Sequence, residues 1–596
     1  MIFIAYMPCV STSFRFSSLL PAAYFKSLLV CCIIVSLPHA AVYAQGIGKK
    51  IPIDPFNYTI QKDVEGKNGI VVCAHPLAAK VGMDILLQGG NAIDAAIATQ
   101  LALAVVYPSA GNLGGGGFMI ATLGRTRKIA FDFREVAPGS ATEDMYIDKK
   151  TGKANLRLSQ EGHLSSGVPG TVAGLFAAMK YAKLPFVTLI QPAIDLADKG
   201  FVITEREAKA LDSAAKDFKR NNKTSPVFVK RKGWWKAGDT LVQKDLARTL
   251  KRIKSKGILD FYEGETAKLI VEEMKNNGGN ITLGDLKKYK VKERVPAEFD
   301  YKGYHIATMP LPGSGGVLLQ QMLKMLEKRH LEQYAFQSVQ SVQLITEVER
   351  RAFADRAEYL GDPDFYNVPV KALVSDAYLQ QRMAGYSSSV AGTSEQVKPG
   401  IIKESEQTTH ISIIDHDGNC VSVTTTLNGN YGSKCVVDGA GFILNNEMDD
   451  FSVQPGVPNL YGAVGGKANA IAPRKRMLSS MSPTVIFKDG KPFMVVGTPG
   501  GTTIITSVLQ SIINVIDYGM NAHDAVNEPK FHHQWLPDQV DVEKAFPADV
   551  RKQLEDMGYC VIERNPWSRT ELIKQKKDKI YEAAADTRGD DDAEGY

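Results

Sequence analysis

The chain has 596 residues, of which 44% are hydrophobic and 23% are charged. That balance is typical of a globular protein, and the length allows a large core built from more than one ~150-residue unit. The formal net charge of +5 is too small for this length to indicate a nucleic-acid partner.

The N-terminal segment has the pattern of a secretory signal. Lys26 is followed by about eleven mostly apolar residues and then by the small-residue exit Ala-Ala-Val-Tyr-Ala-Gln at 40–45. The apolar run is well short of the ~20 residues that a membrane-spanning helix needs. We therefore expect cleavage near Ala44, no membrane span after removal of the signal, and export to the periplasm of a Gram-negative bacterium.

The exported part keeps four scattered cysteines, Cys73, Cys420, Cys435 and Cys560. They form no Cys-x-x-Cys pair, so the sequence predicts neither a zinc knuckle nor a disulfide framework. The pair His532-His533 has no third ligand at a useful spacing, and we interpret it as structural. We expect neither a metal nor another cofactor.

The first predicted elements are a buried strand at 69–74 and two helical stretches within 78–104, separated at Gly89-Gly90. The glycine run at 111–118 lacks the Lys-Ser/Thr of a phosphate-binding loop, so we interpret it as backbone that needs positive φ or close packing. Strands follow at 119–123 and 128–133. Arg134 comes directly after the second strand, where it could bind a carboxylate through two parallel hydrogen bonds. A surface ion pair is the alternative.

The segment from 165 to about 384 is predicted to be a mainly helical layer. Its apolar periodicity indicates helices at 171–181, 191–197, 246–253, 264–276, 318–327 and 339–357. We find few residues of chemical interest in this layer.

A pair of threonines, Thr408 and Thr409, stands between a polar run at 387–407 and a predicted hairpin. The hairpin consists of β-branched strands at 411–415 and 420–426, joined by a loop that contains Asp-Gly. If the bond between Gln407 and Thr408 were cut, the new α-amine of Thr408 could act as the base for its own hydroxyl. Taken alone, two threonines before a strand reflect ordinary β-propensity.

The register of this hairpin has two solutions. A two-residue loop at Asp417-Gly418 pairs position 409 with Thr426, whereas one extra loop residue or a bulge pairs Thr408 with Thr426. The sequence leaves both open.

Further predicted elements follow the hairpin. We expect a short strand at 441–444, a polar turn at 445–451, a Gly- and Ala-rich flap at 459–470 that contains Tyr461, a strand at 485–487 and a helix at 504–516. Gly500 and Gly501 lie at the entry of that helix. Their backbone N–H groups could form an oxyanion hole, or the segment could be a plain helix-entry loop.

Together these blocks resemble the gamma-glutamyltransferase (gamma-glutamyltranspeptidase) family of N-terminal-nucleophile hydrolases. The resemblance runs from about Gly69 to the last residue printed, and it is carried by the segments 111–118, 132–135, 408–410, 417–419, 424–428, 444–451, 478–484 and 498–501.

The resemblance implies a catalytic set. Thr408 would be the nucleophile, first in cutting the chain and then in taking up a γ-glutamyl group, and Thr426 would hydrogen-bond its hydroxyl. The amides of Gly500 and Gly501 would form the oxyanion hole, and Tyr461 would lie on a lid loop.

The resemblance also implies six residues for the amino-acid end of the substrate: Arg134, Ser479 and Ser480 for the α-carboxylate, and Asn428, Glu447 and Asp450 for the α-ammonium. Position 447 is Gln in some relatives and Glu here, and both can accept from an ammonium.

The resulting prediction is a four-layer αββα sandwich with antiparallel central sheets and helical outer layers. It is made as one precursor with a signal at 1–44, a large subunit at 45–407 and a small catalytic subunit at 408–596, which form an intertwined heterodimer. The expected activity is transfer of γ-glutamyl from glutathione and related amides to water, an amino acid or a peptide. The alternatives are a cephalosporin or glutaryl acylase of the same fold, whose substrate lacks the α-ammonium, and a non-catalytic periplasmic glutathione-binding protein.

Overall fold

The computed structural model describes residues 50–124, 126–397, 408–454, 457, 466–577 and 579–596. The predicted signal, Gln407 and Tyr461 lie outside the described residues.

The strands are named in chain order: β1 (Asp63–Gly66), β2 (Gly69–Cys73), β3 (Gly116–Leu123), β4 (Arg127–Asp132), β5 (Phe201–Val202), β6 (Thr240–Leu241), β7 (Lys292–Arg294), β8 (Ala297–Tyr301), β9 (Tyr304–Thr308), β10 (Thr409–Asp415), β11 (Cys420–Thr426), β12 (Thr484–Lys488), β13 (Lys491–Gly497), β14 (Phe531–His532), β15 (Val540–Glu543), β16 (Val561–Arg564), β17 (Glu571–Lys577), β18 (Ile580–Ala585) and β19 (Asp592–Gly595).

The helices are α1 (Pro76–Leu87), α2 (Ala92–Val106), α3 (Leu156–Gln160), α4 (Thr171–Ala178), α5 (Phe186–Lys199), α6 (Glu205–Asn221), α7 (Lys244–Lys256), α8 (Ile258–Tyr262), α9 (Glu265–Asn277), α10 (Leu283–Lys288), α11 (Gly315–Glu327), α12 (Val339–Tyr359), α13 (Val370–Leu373), α14 (Asp376–Arg382), α15 (Thr503–Ile516), α16 (Ala522–Asn527) and α17 (Ala548–Asp556).

Two seven-stranded antiparallel sheets form the centre of the molecule. Sheet I has the strand order β19-β2-β10-β11-β3-β4-β7, and sheet II has the order β1-β18-β17-β13-β12-β9-β8. Two smaller sheets, β14-β15-β16 and β5-β6, lie outside this pair.

Side-chain alternation in sheet I separates two cores. Val71 and Cys73 of β2, with Ile411 and Ile413 of β10, pack in one cluster with α1 and α2. Val72, one residue along β2, packs instead in a second cluster with sheet II and with α11, α12 and α15. Successive side chains of a strand point to opposite faces of its sheet, and both faces of sheet I are buried. Sheet I therefore lies between a layer of helices and sheet II. The predicted four-layer αββα sandwich is therefore confirmed.

The hairpin at the threonine pair adopts the register with the longer loop. Thr409 pairs with Thr425 and His410 with Thr424, so one further step places Thr408 opposite Thr426. Gly418 has φ +78° and donates its N–H to the Asp415 carbonyl at 3.0 Å. A loop of three residues that ends in a left-handed glycine is a common hairpin connection. The two-residue loop is thereby ruled out.

The carboxylate of Asp415 holds this loop in place. Its Oδ1 accepts from the backbone N–H groups of Asp417 and Asn419, both at 2.9 Å. Its Oδ2 accepts from the backbone N–H of Ala92, the first residue of α2, also at 2.9 Å. The hairpin is thus tied to the start of a helix more than 300 residues earlier in the chain.

Most predicted elements are found, with three corrections. The predicted strand at 441–444 is wrong: Ile443 and Leu444 make only isolated bridges, because the chain turns at Gly441 with φ +80°. The hairpin β8–β9 extends sheet II within the segment that we predicted to be mainly helical. The polar helix α6, which begins with a capping box at Thr204, was not among the helices that we placed individually in that segment. Within the described ranges, no helix combines the length and apolar character of a membrane span.

Candidate active site

Thr408 and Thr426 lie side by side at one end of the β10–β11 hairpin. Both are buried, with 4% and 3% of their surface exposed. The Thr426 hydroxyl oxygen accepts from the backbone N–H of Asn428 at 2.8 Å, which leaves the hydroxyl hydrogen for another acceptor. The predicted bond between the two hydroxyls stays a prediction.

The glycine run at 111–118 brings β3 close to the hairpin. A Cβ on Gly115 would collide with the Thr426 carbonyl oxygen, and one on Gly117 with that of Thr424. The Asn112 amide donates to the Thr426 carbonyl at 2.9 Å and accepts from the Gly115 N–H at 3.0 Å. The interpretation as close packing is therefore confirmed at these two positions, and the run supports the end of β11.

His410, to which the sequence assigned no role, links the hairpin to sheet II. Its ring nitrogens lie 2.8 Å from the Thr424 hydroxyl and 3.2 Å from the Ser412 hydroxyl. Burial lowers the pKa of His410 to about 3, so the ring is neutral. A Cβ on Gly497, the last residue of β13, would collide with this ring. The end of β13 therefore lies against the start of β10.

Gly500 and Gly501 follow β13 by three residues and precede α15. Their φ values are +135° and +58°, backbone conformations that glycine adopts without the steric cost of a side chain. Among the hydrogen bonds of the described residues, neither glycine N–H donates to a protein group. The segment that carries these amides leaves β13 beside His410, and the oxyanion hole stays a prediction.

A buried charge cluster lies at the end of β4. The Arg134 Nη1 is 2.6 Å from Glu447 Oε2 and 3.6 Å from Glu135 Oε2, while its Nη2 pairs with Asp450 Oδ2. Arg134 is 1% exposed. The structure thus brings together three of the residues predicted to bind the two ends of a substrate.

The carboxyl groups of this cluster are hard to ionise. Burial raises the pKa of Glu447 and of Asp450, against the opposing effect of the Arg134 charge. Burial likewise raises the pKa of Glu135 to about 8, and neither of its carboxylate oxygens accepts a hydrogen bond from the described residues. Burial alone would lower the pKa of Arg134, but the three carboxylates outweigh it and hold the guanidinium charged.

The segment 477–480 lies along Arg134. The Arg134 Nη2 and Nε reach the carbonyl oxygens of Leu478 and Met477 at 3.4 and 3.5 Å. Ser479 and Ser480 follow directly and are both buried. The two predicted serines are therefore next to the predicted arginine.

Asn428 connects the hairpin to the acidic turn. It has φ +74°, and its side-chain amide donates to the Asn446 carbonyl at 2.9 Å. Asn446 directly precedes the 3-10 turn Glu447–Asp450. One loop therefore joins Thr426 to the carboxylates that face Arg134.

A cavity of about 260 Å³ borders this region at Gly500 and Asn430. Its charged lining consists of Arg206, Glu207, Arg569, Arg588 and Asp590. Two loops form part of its wall: the one after β11 and the one after β13.

The histidine pair lies elsewhere, at β14. Burial lowers the pKa of His532 to about 3, and its two nitrogens contact Thr506 Oγ1 at 2.9 Å and Gln534 Oε1 at 2.7 Å. His533 Nδ1 accepts from the Trp535 N–H at 3.0 Å. These contacts agree with a structural role. No cluster of His, Cys, Asp and Glu suited to a metal occurs within the part of the chain that the structure describes.

Comparison with known proteins agrees with this geometry. A family model described as Gamma-glutamyltranspeptidase matches residues 78–596. The chain is 46% identical over 549 residues to a glutathione hydrolase proenzyme of Escherichia coli, covering 91% of this chain and 94% of that protein.

Solved structures give the same result. A cephalosporin acylase from Bacillus halodurans aligns with a TM-score of 0.79 at 27% identity, over 92% of this chain and 99% of that chain. A gamma-glutamyltranspeptidase from Helicobacter pylori aligns with a TM-score of 0.53 at 41% identity, over 59% of this chain and 97% of that chain.

Proposed function

The chain belongs to the gamma-glutamyltranspeptidase family, and from this premise we propose that it is a glutathione hydrolase and gamma-glutamyltransferase that cuts its own chain before Thr408. The observation that carries the proposal is the buried Arg134–Glu447–Asp450 cluster, which Asn428 connects to the hairpin end that bears Thr408 and Thr426. Selective γ-glutamyl transfer needs such a pair of opposite charges close to its nucleophile.

Recognition of the substrate follows from the charge cluster. The amino-acid end of a γ-glutamyl compound carries a carboxylate and an ammonium, which match Arg134 on one side and Glu447 and Asp450 on the other. Asn428, Ser479 and Ser480 would complete the two subsites. Because Arg134 already pairs with these carboxylates, substrate binding would exchange ion pairs rather than bury an unpaired charge, which limits the desolvation cost.

The chemical step would begin at Thr408. Its α-amine takes the hydroxyl proton while the oxygen attacks the γ-carbonyl, and the amides of Gly500 and Gly501 stabilise the resulting oxyanion. The tetrahedral intermediate collapses, the leaving amine takes the proton, and a γ-glutamyl ester remains on Thr408. Water then gives glutamate, or an amino acid or peptide amine gives the transfer product. Thr426 would orient the Thr408 hydroxyl from the opposite strand.

The cavity beside Gly500 offers space for the part of the substrate beyond the scissile bond. Arg206, Arg569 and Arg588 line it. A leaving group with a free carboxylate, such as the cysteinylglycine of glutathione, would find cationic partners there.

Maturation would use the same hydroxyl. In the precursor, Thr408 attacks the preceding carbonyl, an N→O shift gives an ester, and water opens it to free the α-amine. Related chains are named proenzymes, which supports this course. The products would be a large subunit ending at 407 and a small subunit beginning at Thr408, held together as a heterodimer. With its N-terminal signal pattern, the enzyme would work in the periplasm of a Gram-negative bacterium.

An acylase is the second candidate, since a solved cephalosporin acylase shares the fold. A glutaryl-type acyl group carries a carboxylate and no ammonium. Glu447 and Asp450, buried beside Arg134, would then face a substrate group of their own sign without a cation to bind. This arrangement favours the γ-glutamyl substrate.

The experiment is hydroxyl removal at two neighbouring positions. Thr408→Ala should fold and remain one uncut, inactive chain, and Thr408→Ser should cut more slowly because the methyl group that restrains χ1 is gone. Thr409→Val is the matched control: the Thr409 hydroxyl has no hydrogen-bond partner within the described residues, so its loss should leave cutting and activity intact.

Denaturing gels, N-terminal sequencing and turnover of a γ-glutamyl anilide provide the measurements. The small band of the wild type should begin Thr-Thr-His-Ile-Ser. A single uncut wild-type band that still binds glutathione would refute the enzyme and favour the non-catalytic binding protein.

A further inference from the structure

Arg356, on the buried helix α12, contacts Ser480 of the carboxylate subsite directly and the backbone of Ser479 through Ser314. Its Nη2 donates to Ser480 Oγ at 3.0 Å, and its Nε donates to Ser314 Oγ at 3.1 Å. Ser314 in turn donates both its hydroxyl and its backbone N–H to the Ser479 carbonyl oxygen, each at 2.7 Å. The side chain is 6% exposed. One guanidinium thus supports the whole segment that carries the two serines.

The direction of these bonds determines what each serine can offer. A guanidinium can only donate, so the Ser480 oxygen must accept from Arg356 and its O–H hydrogen must point to another acceptor. The Ser479 hydroxyl oxygen accepts from the Met481 N–H at 3.2 Å, with the same consequence. Both hydroxyls are therefore available as donors, which is what a substrate carboxylate requires.

Arg356 also contributes charge to the site. Burial raises the pKa of Asp450, while the positive charges of Arg134 and then Arg356 act against it, so Arg356 lies within electrostatic range of the cluster. Arg134 pairs with Glu447 and Asp450, and Arg356 adds a second positive charge close to Asp450. Removal of Arg356 would take away one of the two positive charges that favour binding of a substrate carboxylate there.

We propose that Arg356 is a positioning residue for the α-carboxylate of the γ-glutamyl substrate, which it serves by holding the Ser480 hydroxyl as a donor, by fixing the Ser479 backbone through Ser314, and by adding a positive charge beside Arg134. This inference rests on the proposed function, because it takes γ-glutamyl compounds as the substrates.

The test compares two anilides that differ in one group. γ-Glutamyl p-nitroanilide carries the α-carboxylate, whereas 4-aminobutyryl p-nitroanilide keeps the ammonium and lacks the carboxylate. Arg356→Gln should lower kcat/KM for the first by about 10- to 100-fold, mainly through KM, because a charge-assisted contact is lost. For the second substrate kcat/KM should change less than about twofold. Arg356→Lys, which keeps the charge without the two-armed reach, should fall in between.

Arg351→Gln is the matched control. Arg351 lies on the same helix, is 3% exposed, and pairs with Glu347 Oε2 at 2.5 Å, away from the serine segment. Its loss should lower thermal stability and leave the ratio of kcat/KM for the two anilides at the wild-type value. A merely structural role of Arg356 would give the same result as this control.

The proposal is overturned if Arg356→Gln lowers turnover of both anilides by one common factor, or if its KM for the γ-glutamyl compound is unchanged. If Arg356→Gln yields no soluble protein, Arg356→Lys and Ser314→Ala provide the test. A wild-type ratio of kcat/KM for the two anilides in both variants then overturns the proposal. A wild-type enzyme that turns over neither anilide contradicts the proposed function instead.

Discussion

Replacing Arg134 by lysine tests the centre of the proposed site. The guanidinium is buried and pairs with Glu447 at 2.6 Å and with Asp450. Lysine keeps the positive charge, so the buried carboxylates stay compensated and the chain should fold and cut. An ammonium is a point charge and cannot form two parallel hydrogen bonds with a substrate carboxylate.

The expected magnitude follows from the lost bond. One hydrogen bond to a charged group contributes about 1.5–3 kcal/mol, and about 1.36 kcal/mol corresponds to a factor of ten. We therefore expect Arg134→Lys to raise KM for γ-glutamyl p-nitroanilide by about 10- to 150-fold. Arg134→Met, which leaves the carboxylates uncompensated, should instead lower stability by about 3–5 kcal/mol.

The assay is steady-state kinetics on the purified variant, with a denaturing gel to verify chain cutting and thermal unfolding to verify the fold. Arg350→Lys is the control, because Arg350 is also 1% exposed and pairs with two carboxylates, Glu347 and Asp538, neither of which belongs to the Arg134 cluster. An unchanged KM in Arg134→Lys, or an equal change in Arg350→Lys, would refute the assignment of Arg134 to the carboxylate.

Two further predictions concern carboxyl groups. Asp450→Asn removes a partner of the substrate ammonium, and the loss should weaken binding of the γ-glutamyl substrate by on the order of 2–5 kcal/mol. The ratio of glutaryl to γ-glutamyl anilide turnover should therefore rise. An unaltered ratio counts against the assignment. Burial raises the pKa of Asp592 to about 7. Between about pH 4 and pH 7 the native state therefore retains a proton that the unfolded state has already released. The free energy of unfolding falls as the pH rises through this range. Asp592→Asn keeps the acceptor for the Gln61 N–H at 2.5 Å and should stabilise the fold by on the order of 2–4 kcal/mol at pH 8 and by almost nothing at pH 4. Urea unfolding at both pH values measures this, and equal gains at the two would contradict it.

The predicted hairpin shows where sequence reasoning was sufficient and where it ended. Its strands follow from β-branched residues around an Asp-Gly loop, and they are found where predicted. Its register depends on Asp415, whose carboxylate bonds the start of α2. No local pattern reports a contact between residues so far apart in the chain.

The residues of the candidate site also divide into features that the sequence could predict and features that it could not. Arg134, Glu447 and Asp450 could be named from short motifs, but that they pair with one another requires three separate segments to meet in space. Arg356 was missed because α12 was interpreted only as part of a helical layer. The sequence shows that this helix contains several charged residues, but only the structure shows that most of its length is buried.

The strand order has a consequence for the mature enzyme. In sheet I, β2 of the proposed large subunit lies between β19 and β10 of the small one, and β3 of the large subunit borders β11. In sheet II, β1 and β9 of the large subunit border β18 and β12 of the small one. Separation of the two chains would therefore break backbone ladders at five strand boundaries and leave bare strand edges. Dilution of the native enzyme should release neither chain, and subunit exchange should require complete unfolding. Because unfolding would release two separate chains, the midpoint of reversible thermal unfolding should rise with protein concentration.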